Sequence, residues 1–194
     1  MTGMAPQAVV IGASAGALEA LSAILPVLPA DYPLPVLVVV HQPSDQKSVL
    51  AELFQAKCRL AVREAEDKEP IDGGTVYFAP PDYHLLVEPD RSLSLSIDEP
   101  VLFSRPSLDV LFESAADIYG PGLIAVILTG ANPDGAKGLR TVAEAGGMAI
   151  VQNPAEAYAR DMPKAALAEC PEALILSLSE IAAYLQQVEK GARP

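Results

Sequence analysis

Three polar residues stand where strongly apolar segments end: Ser14 after QAVVIGA, His41 after PLPVLVVV, and Asp134 shortly after GLIAVILTG. A hydroxyl, an imidazole and a carboxylate are the groups of a Ser-His-Asp hydrolase. In an open α/β sheet, ligands bind outside the carboxyl ends of the strands, so side chains from distant parts of the chain can converge there. The sequence therefore predicts nucleophilic catalysis at one edge of a parallel sheet.

Ser14 is the central residue of GASAG (12–16), a G-x-S-x-G pattern between a predicted strand and a predicted helix. Small neighbours permit the tight turn that holds a nucleophilic serine above a sheet, and amides at a helix N-terminus stabilise negative charge. The alternative is a phosphate-binding turn of a dinucleotide fold. That fold needs glycine where Ser14 and Ala17 stand and an acidic residue where His41 stands, so the sequence favours a nucleophile.

His41 is the candidate general base, and Asp134 is the candidate carboxylate that orients it. A histidine at a strand end is often structural, and an aspartate directly before a helix is a favoured N-cap, so both residues also have non-catalytic explanations. His84 is a rival base, but it precedes a hairpin strand. The chain order Ser, His, Asp differs from the Ser, Asp, His order of α/β-hydrolases, which argues against that family and leaves the chemistry open.

The elements that must position these residues alternate between strand and helix patterns, which predicts an α/β fold with a mostly parallel sheet covered on both faces. Two alternating segments around a Pro-Asp-Arg turn predict an antiparallel hairpin, which we place at the sheet edge. We expect one domain over residues 1–194, loose at 1–7 and 190–194. The predicted strands are 9–11, 36–40, 60–63, 75–79, 85–88, 93–97, 123–128, 148–152 and 173–176, and the predicted helices are 17–25, 46–57, 107–119, 135–145, 162–168 and 178–189.

Composition narrows the class of protein. The net charge is −12, from 13 Lys+Arg and 25 Asp+Glu, and such a surface repels phosphate backbones, so we expect no nucleic-acid partner. Cys58 and Cys170 belong to no ligand cluster and indicate free thiols in a reducing cytosol. No segment reaches the ~18 apolar residues of a membrane span, and none has the form of a signal peptide. The sequence predicts a cytoplasmic protein without membrane insertion.

Six collinear segments carry more information than any single motif: VVIGASAG, VVVHQP, VYFAPPDYHLLV, RPSLDVLFESAA, LTGANPDGAKGL and DMPKAA. Together they resemble the catalytic domain of bacterial chemotaxis protein-glutamate methylesterases of the CheB type. The resemblance extends from Val9 to Leu185. It implies a three-layer, Rossmann-like α/β sandwich without the usual hydrolase topology.

The resemblance implies that Ser14 is the nucleophile, His41 the base and Asp134 the residue that orients it. It also implies hydrolysis of γ-glutamyl methyl esters on the cytoplasmic helices of methyl-accepting chemotaxis receptors, and deamidation of receptor glutamines in many members. The backbone amides of Ala15, Gly16 and Ala131, with their neighbours in the two loops, are then the expected oxyanion donors. We expect no cofactor and no metal, since no ligand-spaced His, Cys and Asp cluster suggests one.

The chain departs from the family pattern around the predicted pocket. Family members typically have Thr and Gly where Ala15 and Ala17 stand, and LTGM followed by Gly where this chain has LTGANP from residue 128. Gln42 likewise replaces a methionine. We expect these changes to alter substrate preference or rate, with Ala15 leaving no hydroxyl beside the nucleophile.

Two alternatives remain open at this level. One is a receptor-binding homologue that has lost turnover through Ala15 and Ala131, and the other is a nucleotide- or phosphate-binding module that uses the 12–16 turn. Family members usually carry an N-terminal receiver domain and linker that do not occur in this sequence. The start Met1-Thr2-Gly3 favours a free-standing homologue over a fragment.

Overall fold

A seven-stranded parallel sheet, flanking helices and a separate two-stranded sheet make up the computed structural model, which describes residues 4–43 and 48–191. The strands are β1 (Ala8–Ala13), β2 (Val36–Val40), β3 (Ala61–Glu64), β4 (Thr75–Phe78), β5 (His84–Val87), β6 (Leu93–Ser96), β7 (Leu123–Ile127), β8 (Met148–Gln152) and β9 (Leu174–Leu176). The α-helices are α1 (Ala17–Ile24), α2 (Leu50–Gln55), α3 (Leu108–Tyr119), α4 (Ala136–Glu144), α5 (Asp161–Glu169) and α6 (Leu178–Gly191).

β1 occupies the middle of the large sheet, whose strand order is β3-β4-β2-β1-β7-β8-β9. Its neighbours β2 and β7 both pair with it in parallel. All three strands are buried along their whole length, as expected for strands covered on both faces. Their carboxyl ends lie side by side, and these are the strand ends that Ser14, His41 and Asp134 follow.

Alternate residues of the sheet face two separate cores. Val9 and Ile11 point into the core that α1, α2 and α6 cover. Val10 points into the other core, which α3, α4, α5 and the hairpin cover. The predicted three-layer α/β arrangement with a mostly parallel sheet is therefore confirmed.

The hairpin of β5 and β6 forms its own antiparallel sheet, so its predicted place at the edge of the large sheet is corrected. Leu85 and Val87 pack into the core beside α3, and the Val87 amide donates to Ser114 Oγ at 3.1 Å. Because the hairpin gains apolar burial and a hydrogen bond from α3, it is stable without an edge strand beside it.

Most element boundaries match the sequence predictions to within a residue or two. The helix predicted over 46–57 is the shorter α2, and positions 46 and 47 lie outside the described residues. The predicted loose positions 1–3 and 192–194 lie outside them as well, whereas the Gln7 amide donates to the Gly122 carbonyl at 2.7 Å.

No helix in the described part of the chain is long and apolar enough to cross a membrane. Cys58 and Cys170 are free.

Helices α3 and α4 cross closely at Gly138, where a methyl group would lie 2.7 Å from Phe112 Cβ and 3.0 Å from Asp109 Cα. We expect Gly138→Ala to lower the free energy of unfolding by about 1–3 kcal/mol, because main chain would have to move, although alanine is the better helix former. Urea denaturation measures this change. Lys137→Ala, on the exposed face of α4, is the control and should stay within about 0.5 kcal/mol; equal changes would contradict the close crossing.

Candidate active site

Ser14 and His41 line one cleft of about 430 Å³ at the carboxyl edge of the sheet. The Ser14 amide donates to the Thr129 carbonyl at 2.9 Å, just beyond β7, and the His41 amide donates to the Ala13 carbonyl at 3.2 Å, at the end of β1. These bonds continue the parallel ladders past the strand ends. They bring the candidate nucleophile and the candidate base to the same opening.

Glycine and Thr129 hold the 12–16 turn in shape. Gly16 precedes α1 with a φ of +83°, a backbone conformation that is strained for residues with a side chain, and a Cβ there would lie 2.7 Å from Tyr158 Cβ. The Thr129 hydroxyl donates to the Ala15 carbonyl at 2.7 Å. A hydroxyl from another strand end thus supports the turn where Ala15 itself supplies none.

Two amides of this turn are free to bind a negatively charged oxygen. Within the described residues, the amides of Ala15 and Gly16 donate no hydrogen bond, and both lie at the N-terminal end of α1, where the helix dipole favours negative charge. The Ser14 amide is already bonded to Thr129. On the opposite loop, Ala131 is exposed, and its amide likewise has no acceptor in the described part of the chain.

His41 and Asp134 are joined by a hydrogen bond of 2.7 Å between Nε2 and Oδ2. Asp134 is fully buried, and the His41 side chain is 12% exposed. A carboxylate only accepts hydrogen bonds, so Nε2 carries the proton and Nδ1 is the basic nitrogen of the neutral ring. In the usual triad the carboxylate binds Nδ1 and the serine faces Nε2, whereas here the carboxylate binds Nε2.

The Asp134 carboxylate lies at the N-terminus of α3. Oδ1 accepts from the Ser107 hydroxyl at 2.7 Å and the Asp109 amide at 3.1 Å, and Oδ2 accepts from the Leu108 amide at 2.7 Å as well as from His41. Burial by itself raises the pKa of this carboxyl, but the four hydrogen bonds outweigh burial and hold the pKa of Asp134 below its ordinary value. Asp134 therefore caps α3, not the helix that follows it, and stays ionised.

Asp109 makes the reciprocal contact from α3 to α4. Its Oδ1 accepts from the Gly138 amide at 2.7 Å, in the first turn of the helix that follows Asp134. The N-terminus of α3 thus receives the carboxylate of Asp134, which precedes α4, and the N-terminus of α4 receives the carboxylate of Asp109, which lies in α3. Burial, reinforced by the charges of Asp134 and Glu113, raises the pKa of Asp109 to about 6.

Asn132 is a cleft residue that the sequence identifies only as part of a departure from the family pattern. Its Oδ1 accepts from the Asp134 amide at 3.1 Å, which orients the side chain. Its Nδ2 lies 3.4 Å from His41 Nδ1 and 3.2 Å from Ser104 Oγ. Because Nδ2 is a donor only, this contact requires an unprotonated Nδ1. Asn132 therefore supports the tautomer in which His41 can act as a base.

Ser14 Oγ makes no hydrogen bond with any described residue, and catalytic hydrogen bonds in a protein without substrate are often formed only in the complex. His84 lies elsewhere: it is buried, its Nδ1 accepts from the Ser107 amide at 3.1 Å, and its Nε2 donates to the Glu99 carbonyl at 3.0 Å. Both ring nitrogens of His84 are engaged in holding the segment before α3. His41 is therefore the histidine that the geometry favours as base.

The described residues contain no group of three His, Cys, Asp or Glu side chains that could hold a metal ion. The cleft offers a half-buried hydroxyl and a histidine that is hydrogen-bonded to an ionised carboxylate. Unpaired backbone amides occur at Ala15, Gly16 and Ala131 in the adjoining loops, and Gly16 lines a second pocket. These groups suit acyl transfer through a covalent serine intermediate.

The raised pKa of Asp109 makes stability depend on pH. The folded protein keeps this proton up to about pH 6, whereas the unfolded chain releases it near pH ~4, so stability falls as pH rises through that window. Asp109→Asn removes this titration. The unfolding free energy of the variant minus that of the wild type should therefore rise by about 1 kcal/mol from about pH 5 to about pH 7.5. Urea denaturation at both pH values measures it, with exposed Asp117→Asn on α3 as control; a pH-independent difference would contradict the assignment.

Comparison with known proteins places this site in a family. The model of the CheB methylesterase family matches residues 9–185. A relative from Leptospira interrogans, which carries the name protein-glutamate methylesterase/protein-glutamine glutaminase, is 47% identical over 185 residues, 95% of this chain and 96% of the relative. A relative of the same name from Rhodospirillum rubrum is 36% identical over 93% of this chain, which spans 48% of that longer protein.

The crystal structure of the Thermotoga maritima CheB methylesterase catalytic domain matches with a TM-score of 0.89 at 34% identity, over 95% of this chain and 100% of that one. The match confirms the predicted fold, and the relatives' names bear out the predicted enzyme class, a carboxylic ester hydrolase. Both the family model and the full-length relative extend over nearly the whole sequence. The chain belongs to the CheB methylesterase family.

Proposed function

We propose that the chain is a protein-glutamate methylesterase that hydrolyses γ-glutamyl methyl esters on the cytoplasmic helices of chemoreceptors to glutamate and methanol. The observation that carries this proposal is the hydrogen bond between His41 and buried Asp134 at the cleft that Ser14 lines. Membership of the family supports the substrate class. A glutamine side chain has nearly the shape of the ester, so deamidation of receptor glutamines is part of the proposal.

In the first step, the 3.4 Å contact between Asn132 Nδ2 and His41 Nδ1 opens, and Ser14 Oγ attacks the ester carbonyl carbon while His41 Nδ1 takes the hydroxyl proton. Asp134 holds the Nε2 proton of the resulting imidazolium and, being ionised, stabilises its positive charge. The bond from the carbonyl carbon to the methoxy oxygen then breaks, and His41 returns the proton to that oxygen. Methanol leaves, and a glutamyl ester of Ser14 remains.

The oxyanion of each tetrahedral intermediate needs donors, and the unpaired amides of Ala15, Gly16 and Ala131 are the proposed ones. One such donor is typically worth ~3 kcal/mol of transition-state stabilisation. The Gly130 amide is not available, because it donates to the Ala159 carbonyl at 3.0 Å.

In the second step, His41 takes a proton from water as the water oxygen attacks the acyl carbon, and the proton then passes to the departing Ser14 oxygen. Glutamate is released and the serine hydroxyl is restored. With a glutamine substrate the first leaving group is ammonia. The proposed cycle uses no metal and no organic cofactor.

The proposal also names the partner and the location of the protein. The partners are the helices of methyl-accepting receptors, and the place is the cytoplasm. The chain acts there as one catalytic domain. A net charge of −12 argues against a nucleic-acid partner.

Ser14→Ala and His41→Ala should each lower kcat for methanol release from a methylated receptor fragment by about 10³-fold or more, and the double variant should lose little further, because the groups act as a unit. Unaltered thermal unfolding shows that the variants are folded. Near-additive losses would argue against a shared mechanism. Receptor binding without methanol release by the wild type would support the binding homologue, and stabilisation by nucleotides would support the phosphate-binding module.

Asn132→Ala should lower kcat by about 3- to 10-fold, because it removes the acceptor of the Asp134 amide, a neutral hydrogen bond of roughly 1 kcal/mol that positions the loop of Asp134. Asn132→Asp keeps the size of the side chain but replaces the donor by an acceptor. A carboxylate there favours the protonated ring, so the acid limb of the kcat/KM profile should move to higher pH. An Asn132→Asp profile with an unmoved acid limb would show that this side chain does not act on His41.

A further inference from the structure

A strained turn stands at the mouth of the catalytic cleft. Val101 and Ser104 exchange backbone hydrogen bonds of 3.0 and 2.8 Å around Leu102 and Phe103. Leu102 has a φ of +47° and Phe103 a φ of +65°, and two positive values in a two-residue loop are the geometry that favours Asn and Gly. Two bulky apolar residues therefore occupy positions that disfavour them locally.

Burial does not offset this strain, since Phe103 is fully exposed and Leu102 is 44% exposed. Phe103 nevertheless lines the cleft that contains Ser14 and His41. Local strain without a packing reason is typical of functional sites. The position of the strain points to something that binds at this cleft.

The turn is held in place by its neighbours. Ser104 Oγ accepts from Asn132 at 3.2 Å, and Arg105 donates to Asp82 at 2.6 Å and to the Ile97 carbonyl at 2.9 Å. The main chain of the turn is therefore anchored and loses little freedom when a partner covers it.

The chemistry of the cleft indicates what that partner carries. The charge of Arg105 is matched by Asp82, and Pro100 and Pro106 contribute apolar wall, so the wall suits a neutral group such as an ester. A space of about 430 Å³ admits a side chain, whereas a helix is about 10–12 Å across. The main chain that carries the ester must then lie across the rim, where Phe103 stands.

We propose that the turn formed by Leu102 and Phe103, the docking turn, packs against the helix of the protein substrate that carries the glutamyl methyl ester. Side chains three or four positions apart lie on one helix face, so an apolar residue one turn from the ester contacts Phe103 while the ester reaches Ser14. Exposed aromatic side chains are common anchors of protein interfaces. This inference rests on the proposed function and adds the surface that distinguishes a protein ester from a small one.

The experiment compares two substrates with the same reacting group: a methylated receptor fragment, and N-acetylglutamate γ-methyl ester amide. Phe103→Gly and Phe103→Asn remove the aromatic ring but suit a positive φ, so the turn and the thermal unfolding midpoint should be retained. We expect kcat/KM for the receptor fragment to fall by about 10- to 100-fold, the range for loss of one interface anchor. For the small ester the fall should be less than about 3-fold, since this ester meets Phe103 only inside the cleft and has no helix across the rim.

Ile175→Ala, at an exposed apolar position on the edge strand β9, is the matched control and should leave both substrates unaffected. Equal loss on both substrates, or no loss on either, would overturn the docking turn while leaving the methylesterase proposal standing. A wild type that cleaves neither substrate would overturn the function itself and the docking turn with it. Tighter binding of another protein than of the receptor fragment, abolished by Phe103→Gly, would assign the turn to that partner instead.

Discussion

The buried Asp134 carboxylate is the group on which the rest of the site depends. It accepts four hydrogen bonds, one from the N-cap residue Ser107, two from the first amides of α3 and one from His41. A buried charge is tolerated only when its hydrogen bonds are made, so the fold has to bring the N-terminus of α3 to the loop after β7. This requirement fixes the position of α3 over the sheet. Through α3 it also fixes the hairpin and the segment before the helix, which includes the cleft-lining residues 103–106.

The sequence predicted the strands, most helices and the positions of Ser14 and His41, because these rest on local patterns: buried β-branched runs and the polar residue at each strand end. From the sequence, Asp134 is an N-cap candidate for the helix that follows it, α4, whereas in the structure it caps α3. A cap between segments far apart in the chain depends on tertiary packing, which the local pattern does not contain. Ser107, Asp109 and Asn132 gain their roles only through such contacts. The hairpin likewise packs on a helix that lies later in the chain, which strand patterns alone do not encode.

The departures from the family pattern acquire a physical meaning in this geometry. The Thr129 hydroxyl supports the Ala15 carbonyl, so the 12–16 turn does not rely on a hydroxyl at position 15. Asn132 bridges the Asp134 amide, His41 Nδ1 and Ser104 Oγ, and so joins the loop after β7 to the docking turn. A sequence that departs at several positions of one pocket thus keeps a connected set of hydrogen bonds, to which the shared Thr129 and the replacement Asn132 both contribute.

Asp134 and Asp109 show how the number of donors decides the charge of a buried carboxyl. Both are almost completely buried, at 0% and 5% exposure, and both lie at helix N-termini. Asp134 accepts four hydrogen bonds and its pKa is lowered, whereas the amides of Gly138, at 2.7 Å, and Gly135 are the donors to Asp109, and its pKa rises to about 6. Burial dominates where donors are few, and hydrogen bonding dominates where they are many. The charge of nearby Asp134 adds to the effect of burial on Asp109, so below about pH 6 the pair carries its negative charge mainly on Asp134, the carboxylate that binds His41.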